Sequence, residues 1–138
     1  MNELYRQDDK WDIPELAGEV CISLFGLTYD KAENHPEILF LEFGSGEWHR
    51  CYLDAYLGFW DETSLTDLNS IISNDYDGSR KIDYLKKYGL NTQSISRIWC
   101  DRNETYTYIS IAFGTGVIKF REFSDDNRDG DIDFIPSH

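Results

Sequence analysis

Cysteine, histidine and proline are scarce in this chain of 138 residues, which has three of each, and methionine occurs once. Cys21, Cys51 and Cys100 form an odd set, far apart, with no Cys-x-x-Cys pair, so a disulfide framework is not expected. With so few histidines the donor set for a structural zinc is missing too, and neither a metal nor a cofactor is expected. Each cysteine has an apolar or aromatic neighbour and reads as a buried, reduced thiol of a cytoplasmic protein. Basic residues are also few: 13 Lys and Arg stand against 26 Asp and Glu, a net charge of −13. Such a field repels phosphate backbones and anionic lipid, which argues against nucleic acid and membranes as partners and favours a cationic protein. No apolar run approaches the roughly 20 residues of a membrane span. The opening MNELYRQDDKWDIPELAGE shows no basic-then-apolar leader, so no secretory signal is expected.

What the chain has in quantity is aromatic and β-branched sequence. A hydrophobic content of 41% and an aromatic content of 15% supply a core for one domain over residues 1–138. Residues 1–18 read as a lead-in with little regular structure that docks Trp11, Ile13 and Leu16, and residues 124–138 as an acidic tail. EVCISLFGLTY, from Glu19 to Tyr29, reads as a buried strand, and EILFLEFGSGEWHRCYLD as two strands around Gly44-Ser45-Gly46. IAFGTGVIKF repeats the Phe-Gly-Ser/Thr-Gly turn, and residues 94–123 read as a three-strand meander. Between these β blocks lie two helical signals. Ser64-x-x-Asp67 is a capping-box variant ahead of a stripe of Leu65, Leu68, Ile71 and Ile72; a second helix is predicted from about Ser79 through Ile82 and Leu85 to a stop at Gly89. The expected fold class is α+β: an antiparallel sheet of about five to six strands with two short helices between the β blocks.

Three stretches carry chemical proposals. His49 and Cys51 share a strand face, which suggests an imidazole base beside a thiol nucleophile, but strand spacing separates such groups by about 7 Å. No catalytic residue is therefore assigned, and a small hydrolase using His49 with Cys51 or Asp54 stays as an alternative. The terminal SDDNRDGDIDFIPSH places Asp125, Asn127, Asp129, Gly130 and Asp133 at calcium-loop spacing, yet Pro136 stands where a bidentate Glu is needed. A calcium-binding module using Asp125 to Asp133 is the second alternative, and no metal residue is assigned. The densest mixture of aromatic and charged residues is EWHRCYLDAYLGFWDE, Glu47 to Glu62, the composition of an interaction hot spot if it is exposed.

Within that stretch, Trp-His-Arg-x-x-Leu-Asp-Ala followed by Phe-Trp-Asp-Glu resembles a segment of small acidic bacterial proteins, and the chain is similar in size and charge to immunity proteins of toxin systems. The resemblance implies a cytoplasmic, non-enzymatic protein that neutralises a basic toxin by occluding it. The expected partner-binding residues are Trp48, His49, Arg50, Asp54, Tyr56, Trp60, Asp61, Glu62, Asp75 and Asp77, with the carboxylates steering the partner and the exposed aromatics anchoring it.

Overall fold

A computed structural model describes residues 4–29, 33–125 and 130–137. Its chain is dominated by antiparallel strands, in keeping with the alternating apolar pattern. The first sheet contains β1 (Tyr5–Asp8), β3 (Cys21–Thr28), β4 (Ile38–Phe43), β5 (Trp48–Asp54), β6 (Leu57–Thr63) and β7 (Arg80–Asp83), in the order β1-β6-β5-β4-β3-β7. The second contains β2 (Trp11–Asp12), β8 (Ile95–Arg102), β9 (Tyr106–Phe113), β10 (Gly116–Phe123) and β11 (Asp131–Pro136), in the order β11-β10-β9-β8-β2. The two helices are α1 (Leu65–Asp75) and α2 (Tyr84–Tyr88). Both helices lie between the β blocks, as expected, but the β content is larger and divided between two sheets.

Alternation decides what each face buries. Leu39, Leu41, Cys51 and Trp60 from the first sheet meet Ile98, Cys100, Ile109, Ile111, Ile118 and Phe120 from the second in one core cluster. Phe25, Leu27, Ile38 and Phe40 face the opposite way and form a smaller cluster with Leu68 of α1. The order of layers is therefore helix, first sheet, second sheet. Ser64 starts α1 by accepting the Asp67 backbone N–H on its hydroxyl at 3.1 Å, as the capping pattern predicts. Of the predicted stripe, Leu68, Ile71 and Ile72 face the sheet, whereas Leu65 is 54% exposed.

The structure corrects three expectations. Arg80–Asp83 is not helical: it pairs with β3, and the helix is confined to Tyr84–Tyr88, capped by the Asp83 carboxylate and ended by Gly89 at φ +67°. Ile82 and Leu85 are three apart because a strand hands over to a helix between them, which mimics helical spacing. The lead-in is more regular than predicted, since β1 pairs with β6 and β2 with β8, while Ile13 and Leu16 dock in the core as expected. The acidic tail is also partly ordered sheet: β11 pairs with β10 over its whole length and buries Ile132. Apolar Ile132 and Phe134, alternating with acids, gain more from burial than the flanking charges lose.

The two similar glycine turns are built differently. Gly46 adopts φ +89°, whereas Gly116 lacks positive φ and is needed for space. A Cβ at Gly116 would sit 2.5 Å from the Ile135 carbonyl oxygen and 2.6 Å from the Phe134 ring. Gly116→Ala should therefore push β11 from β10, costing about 1–3 kcal/mol in chemical denaturation and accelerating amide exchange across 131–136. Unchanged exchange there would show that the strand is not held by this close approach.

Candidate functional site

Strand β5 divides the aromatic segment between two environments. Trp48, Arg50 and Tyr52 point to the helix side of the first sheet, and His49 and Cys51 point into the sandwich. Trp48 packs edge-on against Phe25, with ring centroids 6.2 Å apart, under the α1 layer. Arg50 holds Asp61 across the β5–β6 pair through two hydrogen bonds of 2.7 and 3.1 Å. Asp61, expected to act as a free steering charge, is thus paired within the sheet.

His49 and Trp60 are both 0% exposed, so the expectation that they touch a partner is corrected: burial of the inward strand positions places them in the core. Their pairing is specific. The Trp60 indole N–H donates to His49 Nδ1 at 3.0 Å, so Nδ1 presents its lone pair and the ring proton resides on Nε2, directed at the Glu47 carboxylate at 3.4 Å. Phe43 packs edge-on against the imidazole at 5.1 Å. Burial holds the His49 pKa below its ordinary value, against the opposing pull of Glu47, Glu62 and Asp61.

That tautomer limits the chemistry. One ring nitrogen has its lone pair engaged and the other carries the proton, so His49 has no free site at which to accept a proton as a general base. Burial raises the Cys51 thiol well above its normal range, which removes the thiolate a nucleophile requires. Asp54 lies exposed at the far end of β5. Among the described residues, Glu47, His49 and Glu62 bring potential ligand atoms within 4.8 Å of one another. To ligate a metal through Nε2, the imidazole would have to move its proton to Nδ1, against the indole N–H. The set therefore does not fit a metal held by neutral imidazole.

The outer ends of these strands form an open cleft of about 400 Å³ between the β4–β5 turn, the end of β6 and the start of α1. Glu42, Glu47 and Glu62 line it beside Trp48 and Leu65. Among the described residues no Lys or Arg pairs with any of these carboxylates; Glu42 accepts from the Ser23 hydroxyl, and Glu47 faces the neutral His49. The N-terminus of α1, also at the cleft, contributes roughly half a positive charge, which three carboxylates outweigh. Glu42 was not singled out in the sequence because it belongs to a different strand from the aromatic segment, and only sheet register brings it near.

The remaining expected residues are dispersed. Asp54 and Tyr56 flank the opposite end of the β5–β6 hairpin, where Ala55 and Tyr56 adopt φ 50° and 66°. Glu122 accepts the Tyr56 N–H at 2.7 Å and Thr107 donates to its carbonyl at 3.1 Å, so the second sheet imposes a turn that lacks glycine. Asp75 ends α1 and Asp77 follows it, both exposed. Of the calcium-loop reading, residues 126–129, including Asn127 and Asp129, lie outside the described residues. Asp131 is engaged by Arg121 through two bonds of 2.7 Å, and Asp131 and Asp133 lie in strand β11. Among the described residues, no helix is long and apolar enough to cross a membrane.

The buried histidine predicts a pH dependence with a definite sign. The unfolded chain protonates His49 near pH 6.5, but the folded chain, with its lowered value, resists. Its stabilisation is complete above that pH and is lost as pH falls toward the folded pKa, by up to about 1.4 kcal/mol per pH unit. Urea unfolding at pH 7.5 and 5.5 should show a larger loss for the parent chain than for His49→Gln. Equal losses would remove His49 as the source.

No protein-family description, curated protein or solved structure matches the chain.

Proposed function

We propose that this chain is a non-enzymatic protein-binding protein that engages a basic partner. The observation that carries this reading is the cleft of Glu42, Glu47 and Glu62, three carboxylates without a compensating Lys or Arg among the described residues, in a chain of net charge −13. A lysine or arginine side chain suits it: the cationic head meets the carboxylates while the aliphatic stem lies along Trp48 and Leu65. Asp54, Asp75 and Asp77 extend the negative field beyond the cleft and accelerate encounter with a cationic surface. The engaged tautomer of His49 and the protonated Cys51 speak for binding rather than hydrolysis. The finer reading is a cytoplasmic immunity protein that occludes a basic toxin, as the Trp48–Glu62 resemblance suggests.

Glu47→Lys with Glu62→Lys tests the reading while leaving the core unchanged. Capture from the source cell's lysate on immobilised parent and double variant should identify a basic protein retained only by the parent. Its association rate with the parent should fall at least about tenfold between 0.05 and 0.5 M salt. An identical captured set on both surfaces, or a rate indifferent to salt, would overturn the proposal.

A further inference from the structure

The outer face of the second sheet is the one large β surface without a covering layer among the described residues. Register places Trp99, Ser110 and Lys119 in one row across β8, β9 and β10, with Tyr108 and Arg121 in the next. Aromatic rings on this face carry cations: Arg97 lies 4.4 Å from the Trp99 ring centre, and Lys119 lies 4.4 Å from that of Tyr108. Ser110, in the middle, is 0% exposed and its hydroxyl has no hydrogen-bond partner among the described residues. We propose that this face is where two copies of this chain meet.

Charge selects the occupant. Arg97, Lys119 and Arg121 share the face with Asp12, Asp101, Asp131 and Asp133, so it carries only one of the net thirteen negative charges. Physiological salt screens charges more than about 8 Å apart, so two like-charged bodies feel chiefly the groups at their contact. At the acidic cleft a second copy meets repulsion. Here the face is nearly neutral and complements itself, since the Lys119 ammonium of one copy can meet Asp101 or Asp133 of the other, and Trp99, Tyr108 and Val117 supply apolar area.

The neighbouring strand edge does not offer an easier route. On the free side of β11, the Ile132 N–H donates to the Asn34 carbonyl, the Phe134 N–H to the Asp133 carboxylate, and Pro136 has no N–H. That edge is closed to strand addition, which leaves contact by the face. Four strands spaced by about 4.8 Å, each with up to eight residues at about 3.3 Å, cover roughly 500 Å². A standard interface takes about 800 Å² from each partner, so this contact falls at the small, transient end of the range and the dimer is weak and exchanging.

Sedimentation equilibrium of the full chain from about 5 to 500 μM should show this association. Val117→Glu and Lys119→Glu should each raise the dissociation constant at least about tenfold, while Glu47→Lys, at the cleft, should not weaken it. Amide shifts of the parent chain should move with concentration in β8, β9 and β10 and not around α1, a readout independent of any variant's folding. A monomer throughout that range, or a dimer indifferent to both face variants with shifts confined elsewhere, would overturn the proposal. A different macromolecule bound at this face by a monomeric chain would do so as well. Failure of this contact would leave the acidic-cleft reading intact, because the two surfaces and their variants are separate.

Discussion

The first sheet has to bury both of its faces, and that constraint organises the molecule. Its central strands carry large apolar residues at successive positions, such as Leu39 and Phe40 on β4, so a single partner layer could shield only half of them. The second sheet covers one face and α1 covers part of the other. Trp60 enters the sandwich as a consequence, whereas Trp48 is held beneath the helix. The same constraint explains why an aromatic segment with the composition of a binding site buries Trp60 fully and leaves Trp48, Tyr52, Tyr56 and Phe59 half-buried.

Burial then sets the chemistry of His49, the one fully buried histidine among the described residues. An isolated imidazole in an apolar sandwich would leave a polar nitrogen without a partner, at a cost of about 1–3 kcal/mol. The Trp60 N–H supplies that partner at 3.0 Å and, by occupying Nδ1, sends the proton to Nε2. What Glu47 meets from the core side is a neutral N–H donor. His49 helps orient Glu47 without cancelling its charge, and so the cleft remains negative.

The two surfaces proposed for interaction differ in the property that matters for a chain so acidic. The cleft concentrates carboxylates that no Lys or Arg pairs among the described residues, while the outer face of the second sheet pairs its cations with acids and with aromatic rings. Repulsion between copies excludes the first as a self-contact, and near-neutrality permits the second. Both can be occupied together, since the cleft lies at the ends of first-sheet strands and the other surface on the far side of the sandwich.

Local chemistry in the sequence was enough for the β3 strand, the β4–β5 hairpin, the β8 to β10 meander and the Ser64 cap, because alternation, turn residues and capping act over a few positions. It also determined the net charge, and with it the class of partner proposed. Tertiary structure alone decided the rest. Arg80–Asp83 became a strand because β3 offered it an edge, and Asp131–Pro136 joined the second sheet because β10 could bury Ile132. Glu42 reached the cleft by register, and Ala55 and Tyr56 took left-handed conformations because Glu122 and Thr107 hold their turn. These outcomes depend on contacts between residues distant in the chain, and the free energy of such contacts is not encoded in the spacing of their neighbours.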